Sequence, residues 1–226
     1  MKKLLVFLAL AIAASPASAF IRITIQDLVG GGSELFVDQA QGIPGEVVLG
    51  TPGQATITTA DSSILGTYYA AGSIQSAISN YLSADPFADL INSSINLNGI
   101  GAFDDAIVVN IAADYTQPEG DQGLATTVLN AATLQDASFD ATVFVSATPL
   151  LTELDITTGD TFTDTELVDL VSKPYTITHA FRLASLADGS DLGFDISTEV
   201  VGVPTPGPLA LIGLGLAGLG FTRKFF

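Results

Sequence analysis

The sequence has no cysteine and no tryptophan, and it has a single histidine. Without cysteine there is no disulfide staple, no thiolate metal site and no cysteine nucleophile. One histidine, His179, cannot build a familiar zinc set. A Ser-His-Asp arrangement would have to use it, and no G-x-S-x-G elbow is present to supply the serine. His179 lies mid-run on the apolar side of the alternating stretch Tyr175 to Leu183, so it is expected to be a core residue with one hydrogen-bond partner. Aromatics make up only 8% of the chain, which counts against the sugar-stacking clefts of sandwich glycosidases. Paired carboxylates remain as the one enzymatic option. Among 24 acidic residues, however, some pair will be close by chance.

Basic residues are also scarce, at 7 against 24 acids. Lys2, Lys3, Arg223 and Lys224 sit in the end segments, which leaves Arg22, Lys173 and Arg182 between them. All the acids lie in that middle stretch, which therefore carries 3 − 24 = −21. Such a charge repels nucleic acid and anionic membrane surfaces. It suits a protein outside the cell. The mean hydropathy of +0.49 reflects the two apolar ends more than the body.

At the first end, Lys2 and Lys3 precede an unbroken apolar run from Leu4 to Ala14. Pro16 breaks it, and Ala17-Ser18-Ala19 supplies small residues for a signal peptidase. Residues 1–19 are therefore expected to be a secretory signal peptide, and the run is too short to span a bilayer.

The body, residues 20–202, reads as β structure with period-two alternation. Ile21, Ile23 and Ile25 share one face, as do Tyr175, Ile177, His179, Phe181 and Leu183. Phe139, Ala141, Val143 and Val145 alternate likewise, and so do Phe194, Ile196, Thr198 and Val200. Ile107 to Ala113 is more continuously apolar and is expected to lie centrally. Weaker strands are expected near 46–50, 54–59, 64–71, 91–97, 124–130 and 150–157. The spacing over Ile74 to Leu82 predicts one short helix. Turn signals at Gly30-Gly31-Gly32, Pro52-Gly53, Pro118 to Asp121 and Asp188-Gly189 separate the runs. The expected class is all-β, a single antiparallel β-sandwich of jelly-roll or immunoglobulin-like type. The lack of long amphipathic helices argues against a doubly wound α/β fold.

Calcium is the most physical metal to weigh, because it takes carboxylate and carbonyl oxygens from loops. Three acidic stretches are candidates: Asp114 to Asp121 with Glu119; Asp155 to Asp169 with Asp160, Asp164 and Glu166; and Asp188 with Asp191 and Asp195. None has EF-hand spacing, and a set of solvated Asx turns is the commoner reading. Asp188, Asp191 and Asp195 stand as the candidate Ca²⁺ ligands. No other cofactor is expected.

The chain closes with a proline-rich stretch, Val203 to Pro208, an apolar stretch from Leu209 to Phe221, and a basic stop at Arg223 and Lys224. As helix the apolar part would reach roughly 20 Å, short of the ~30 Å hydrocarbon core. Basic residues beyond it favour a cytoplasmic C-terminus. Gly213 to Gly218 matches G-x-G-x-x-G, but only eight residues follow and none is acidic, so it is no dinucleotide motif.

The order of proline motif, short Leu/Gly helix and basic end resembles the PEP-CTERM sorting signal of Gram-negative bacteria. The motif residues are Val203-Pro204-Thr205-Pro206. The family's usual pattern has Glu where this chain has Thr205, which points to a variant sorting enzyme. The resemblance implies recognition and cleavage by an exosortase-type membrane peptidase, a transient stay of residues 209–221 in the inner membrane, and then the cell surface or medium. It also implies association with extracellular polysaccharide and biofilm, and bodies that are commonly β-sandwiches. The ending PYTITHAFRL, a short turn and FDISTEVV before the motif is similar to the family's terminal hairpin. The expected organisation is signal peptide 1–19, β-sandwich 20–202 and sorting segment 203–226. The expected role is a non-enzymatic structural or adhesive protein of the envelope or exopolysaccharide matrix. The alternatives are a calcium-dependent carbohydrate-binding module and a secreted polysaccharide hydrolase.

Overall fold

The computed structural model describes residues 20–78, 88–115, 122–170 and 174–203. The expected signal peptide and everything after Val203, including Pro204, Thr205, Pro206, the stretch 209–221, Arg223 and Lys224, lie outside the described residues. So do Glu119, Asp121 and Lys173. Among the described residues, no helix is long and apolar enough to cross a membrane.

The elements, in order, are β1 (Phe20–Asp27), β2 (Ser33–Val37), β3 (Glu46–Val48), β4 (Gln54–Thr58), α1 (Ser63–Tyr68), β5 (Tyr69–Ile78), β6 (Ala88–Gly99) and β7 (Phe103–Tyr115), then β8 (Gln122–Gln135), β9 (Ala137–Val145), β10 (Thr148–Ile156), β11 (Thr161–Asp169), β12 (Tyr175–Ser185) and β13 (Asp191–Gly202). They form a seven-stranded sheet, β10-β9-β12-β7-β1-β2-β3, and a six-stranded sheet, β11-β8-β13-β6-β5-β4. The chain is a two-layer β-sandwich around one apolar core. The pairing is antiparallel with one correction: the edge strand β3 runs parallel to β2.

Period-two patterning explains the layers, since alternate side chains point to opposite faces. Ile21, Ile23 and Ile25 of β1 are buried, as are Phe139, Ala141, Val143 and Val145 of β9. Tyr175, Ile177, His179, Phe181 and Leu183 of β12 lie beside them on the same inner face, and Phe194, Ile196, Thr198 and Val200 of β13 close the core from the other sheet. Phe139 stacks on Phe194 across the layers with ring centroids 3.8 Å apart, and Phe181 packs on Phe194 at 4.8 Å. Such aromatic pairs contribute about 0.5–1.5 kcal/mol each beyond their burial. β7 lies centrally in its sheet, between β12 and β1.

Three further expectations are corrected. The helix expected over Ile74 to Leu82 is strand as far as Ile78, and residues 79–82 lie outside the described residues. Ile74, Ser76 and Ile78 point inward while Gln75 points out, and an inward serine hides that alternation. The helix lies earlier, where a strand was expected over 64–71. Ser62 caps α1 by accepting from the Leu65 N–H at 3.0 Å. Glu34 on β2 takes the hydroxyls of Ser62 and Ser63, and the Ser63 N–H at 3.0 Å. Third, most of the acidic stretch 155–169 is the edge strand β11, paired along its length with β8.

The sandwich has two distinct ends. Phe20, Tyr115 and Val201 lie at one, where the Tyr115 hydroxyl donates to the Leu90 carbonyl at 3.0 Å and the Tyr175 hydroxyl donates to Asp89. The turns after β1, β6 and β12 lie at the other, where Tyr68 and Tyr69 meet Phe103 edge-on. Buried Asp38 ties the layers at one margin by accepting from the Ile21 N–H at 3.0 Å and the Gly53 N–H at 2.7 Å.

Candidate functional site

His179 holds the middle of the core. It is fully buried, and its Nδ1 and Nε2 meet the Ser93 hydroxyl at 3.1 Å and the Thr198 hydroxyl at 2.9 Å. Both partners lie on the opposite sheet, so the imidazole bridges the layers with two partners rather than the one expected. Ser93 reaches Ser76 at 3.3 Å, and Thr198 reaches Thr127 at 2.9 Å. The network therefore crosses β5, β6, β13 and β8 on the inner face. Burial pushes the His179 pKa down to about 3, which keeps the ring neutral at ordinary pH. A neutral ring offers one donor and one acceptor, which matches two hydroxyls that can each take either role. The arrangement is a satisfied structural network with no opening to solvent at the imidazole.

The outer face of the same sheet is different. Strand register brings Thr56, Gln75, Ser94, Asp195 and Asn130 into one row across β4, β5, β6, β13 and β8. A second row beside it runs Gln54, Ala77, Asn92, Ser197 and Val128. Together they line an open groove of ≈ 560 Å³. A smaller hollow of ≈ 300 Å³ shares Gln54 and Thr56 and continues past the sheet edge to Thr51 and Asp61. The lining of the larger groove holds amides, hydroxyls and one carboxylate, with no basic and no aromatic side chain. Among the described residues, the side chains of Gln54, Asn92, Asn130 and Asp195 have no hydrogen-bond partner. Side-chain amides offer donors and acceptors together, so the face suits a ligand that presents both.

No family model matches the chain, and no curated protein matches it. Solved structures to which it is similar include a carbohydrate-binding module of the β-sandwich superfamily (10% identity, 82% of this chain and 74% of that one, TM-score 0.30). Another is the C-terminal CBM6 of LamC, a marine laminarinase from Zobellia galactanivorans (14% identity, 64% of this chain and 98% of that one, TM-score 0.19). A third is the infectious bursal disease virus Gx strain structure (12% identity, 84% and 52%, TM-score 0.23). These overlaps are too loose for a ligand to pass from those proteins to this one.

The three candidate calcium ligands are not gathered. Asp188 accepts from the Gly101 N–H at 3.2 Å, and Asp191 accepts from the Asn98 amide at 2.8 Å. Asp195 lies on the outer face of β13, four residues beyond Asp191, or about 13 Å along a strand. A single Ca²⁺ needs its oxygens at about 2.3–2.6 Å. Among the described residues, no group of three or more His, Cys, Asp or Glu is placed to hold a metal ion. The other acidic stretches have local partners. Asp114 pairs with Arg22 at 3.3 Å, and Asp160 accepts from the Thr157 N–H and hydroxyl at 2.9 and 3.0 Å.

Two carboxylates hold turns at the far end. Asp27 is held below the usual carboxylate range by the Gly30 N–H, aided by the Tyr68 hydroxyl and the Val29 N–H. A side chain at Gly30 would put its Cβ 2.3 Å from an Asp27 oxygen, so glycine is needed there. Partial burial raises the Glu34 pKa, but hydrogen bonds from Ser62 and Ser63 outweigh it and hold the group low.

Sequence reasoning placed His179 correctly in the core but missed the groove. Its residues stand at outward positions of alternating strands, which is legible locally. Only the strand order makes neighbours of Gln75, Asn92, Asn130 and Asp195.

Proposed function

We propose that this chain is an exported, non-catalytic protein of the cell envelope or exopolysaccharide matrix, and that it holds polysaccharide in the groove on the outer face of the six-stranded sheet. The observation that carries this reading is the groove lining itself: two rows of mostly amide and hydroxyl side chains with one carboxylate, broken by Ala77 and Val128, in which the side chains of Gln54, Asn92, Asn130 and Asp195 are uncommitted. Polysaccharides present closely spaced hydroxyls that donate and accept, which such a surface matches. The lack of rings in the groove implies weak binding per sugar and an adhesive, multivalent mode.

The sandwich is read as jelly-roll in kind. β6 pairs with β13 and β7 with β12, while β6 to β7 and β12 to β13 each cross between sheets. In an immunoglobulin fold the strands that begin such crossings (B and E) share a sheet. Here β6 and β12 do not.

The sorting reading supplies the route. β13 ends at Gly202, and the Val203 N–H still donates to the Gln122 carbonyl at 2.9 Å. Pro204 and Pro206 have no N–H with which to continue the ladder. A prolyl stretch directly after a sheet strand would leave the chain extended for a processing peptidase, which supports the sorting reading.

Two measurements test the proposal. Native affinity electrophoresis through gels containing polysaccharide should retard the purified body, and Asn92→Ala with Asn130→Ala should abolish the retardation. Unretarded migration in every polysaccharide would sink the binding role. The intact mass from host envelope and medium should fit Phe20 to a residue near Pro204; a mass running to Phe226 would remove the processing step.

A further inference from the structure

We infer that the groove takes a neutral, hydroxyl-rich polymer lying across the strands, and that Asp195 is the specificity residue that turns anionic chains away. This rests on the polysaccharide reading above.

Direction comes from the register. Each row crosses five strands, and neighbouring strands lie about 4.8 Å apart, so the rows extend about 19 Å. That spacing is close to the repeat of an extended chain of linked hexoses. Successive units would meet Thr56, Gln75, Ser94, Asp195 and Asn130 in turn, with Gln54, Asn92 and Ser197 alongside. The hollow that shares Gln54 and Thr56 continues the same line beyond β4. Along β5 and β8, by contrast, outward side chains change character within two residues, whereas β6 stays polar through Asn92, Ser94, Asn96 and Asn98. On β8 the sequence outward is Val128, then Asn130; on β5 it is Gln75, then Ala77. The row from Thr56 to Asn130 is polar on all five strands, which a chain lying across the sheet would follow.

Charge selects among polymers. The chain carries 24 acids against 7 bases, and the groove lining contains no Lys or Arg to receive a uronate or sulfate. Asp195 stands in the row between Ser94 and Asn130, near its middle. An exposed carboxylate accepts two hydroxyl hydrogen bonds from a neutral sugar and repels an acidic one. Without a ring to stack on, affinity must accumulate over many units, so polymers should bind far better than short oligosaccharides.

The experiment is affinity electrophoresis of the body at low and at physiological salt. The gels contain a neutral β-glucan, a neutral galactomannan, alginate or dextran sulfate. Retardation by a neutral polymer, and none by the two anionic ones, is the expected result. Asp195→Asn should lower the ratio of neutral-polymer to alginate binding by about tenfold at low salt, with less change as salt screens the charge. Gln54→Ala and Asn130→Ala, at opposite margins of the groove, should each weaken binding to the same polymer. Retardation by alginate or dextran sulfate alone would overturn this inference and leave the polysaccharide reading standing. An unchanged neutral-to-anionic ratio in Asp195→Asn would overturn the role of Asp195. Loss confined to substitutions on one strand would overturn the crosswise path. Failure of all four polymers would overturn the inference together with the reading it rests on.

Discussion

The two faces of the six-stranded sheet carry similar side chains under opposite conditions. On the inner face, Ser76, Ser93, Thr127 and Thr198 are buried, and each hydroxyl is satisfied through the chain that runs via His179. On the outer face, Gln54, Asn92, Asn130 and Asp195 meet water. An unpaired polar group costs about 1–3 kcal/mol in the core and almost nothing at the surface. The inner set must therefore be complete to be tolerated, whereas the outer set can stay open for a ligand. Polar residues on one strand thus tie the layers together on one side and stand open to solvent on the other.

Acid provides the sharpest way to break the comparison. The folded-state pKa of His179 is depressed from 6.5 to about 3. Its contribution is fully present above pH 6.5 and is lost as pH falls toward 3, because the unfolded chain takes up the proton first. At about 1.4 kcal/mol per pH unit, the full gap amounts to roughly 5 kcal/mol. Glu34 and Glu46 are held below 4.5, and Asp27 and Asp61 below 3.8, so their contributions fade only at lower pH. Urea denaturation between pH 6.5 and 4.5 should therefore show a loss of stability that is absent from His179→Leu. An equal slope in that variant would mean that other groups carry the pH dependence.

Next in size is His179→Ala. It opens a core cavity and removes a partner from both Ser93 and Thr198, at a cost of about 3–5 kcal/mol by chemical denaturation. His179→Leu should cost less, since leucine refills most of the cavity, while in both variants Ser93 retains Ser76 and Thr198 retains Thr127. Equal losses in the two variants would show that the lost hydrogen bonds, and not volume, dominate at this position.

Thr198→Val keeps shape and removes the hydroxyl that Nε2 and Thr127 share, and should cost about 1–3 kcal/mol. The smallest effect belongs to the outer face. Asn92→Ala and Asn130→Ala should change stability by less than about 0.5 kcal/mol while removing polysaccharide retardation. A stability loss as large as that of Thr198→Val would place these amides in the scaffold instead.

Much of the architecture is legible as alternation. The inward faces of β1, β9, β12 and β13 can be read residue by residue, since each repeats large apolar side chains with period two. Where one face is not apolar the reading fails. Ser76 interrupts β5, and that run looks helical. β11 is an edge strand in which only Val168 is fully buried, so Thr161 to Asp169 reads as an acidic loop. β2 is short, and Glu34 on it is committed to the cap of α1. The groove was illegible for a further reason. Its residues come from five strands spread between Gln54 and Ser197, and adjacency across strands depends on an order that local pattern does not encode.

The position of β13 has a mechanical consequence. It lies in the interior of its sheet, hydrogen-bonded to β6 on one side and β8 on the other, and it ends at Gly202, just before the proposed sorting segment. It also carries Asp195 and Ser197 on the groove floor. A pull on the chain beyond Val203, resisted by a ligand lying across the sheet, runs along the axis of β13. The ladders on both flanks then share the load in shear, so many bonds must yield together before the strand slips. A tether at the end of an edge strand such as β11 would load a single ladder, the one to β8, instead of two.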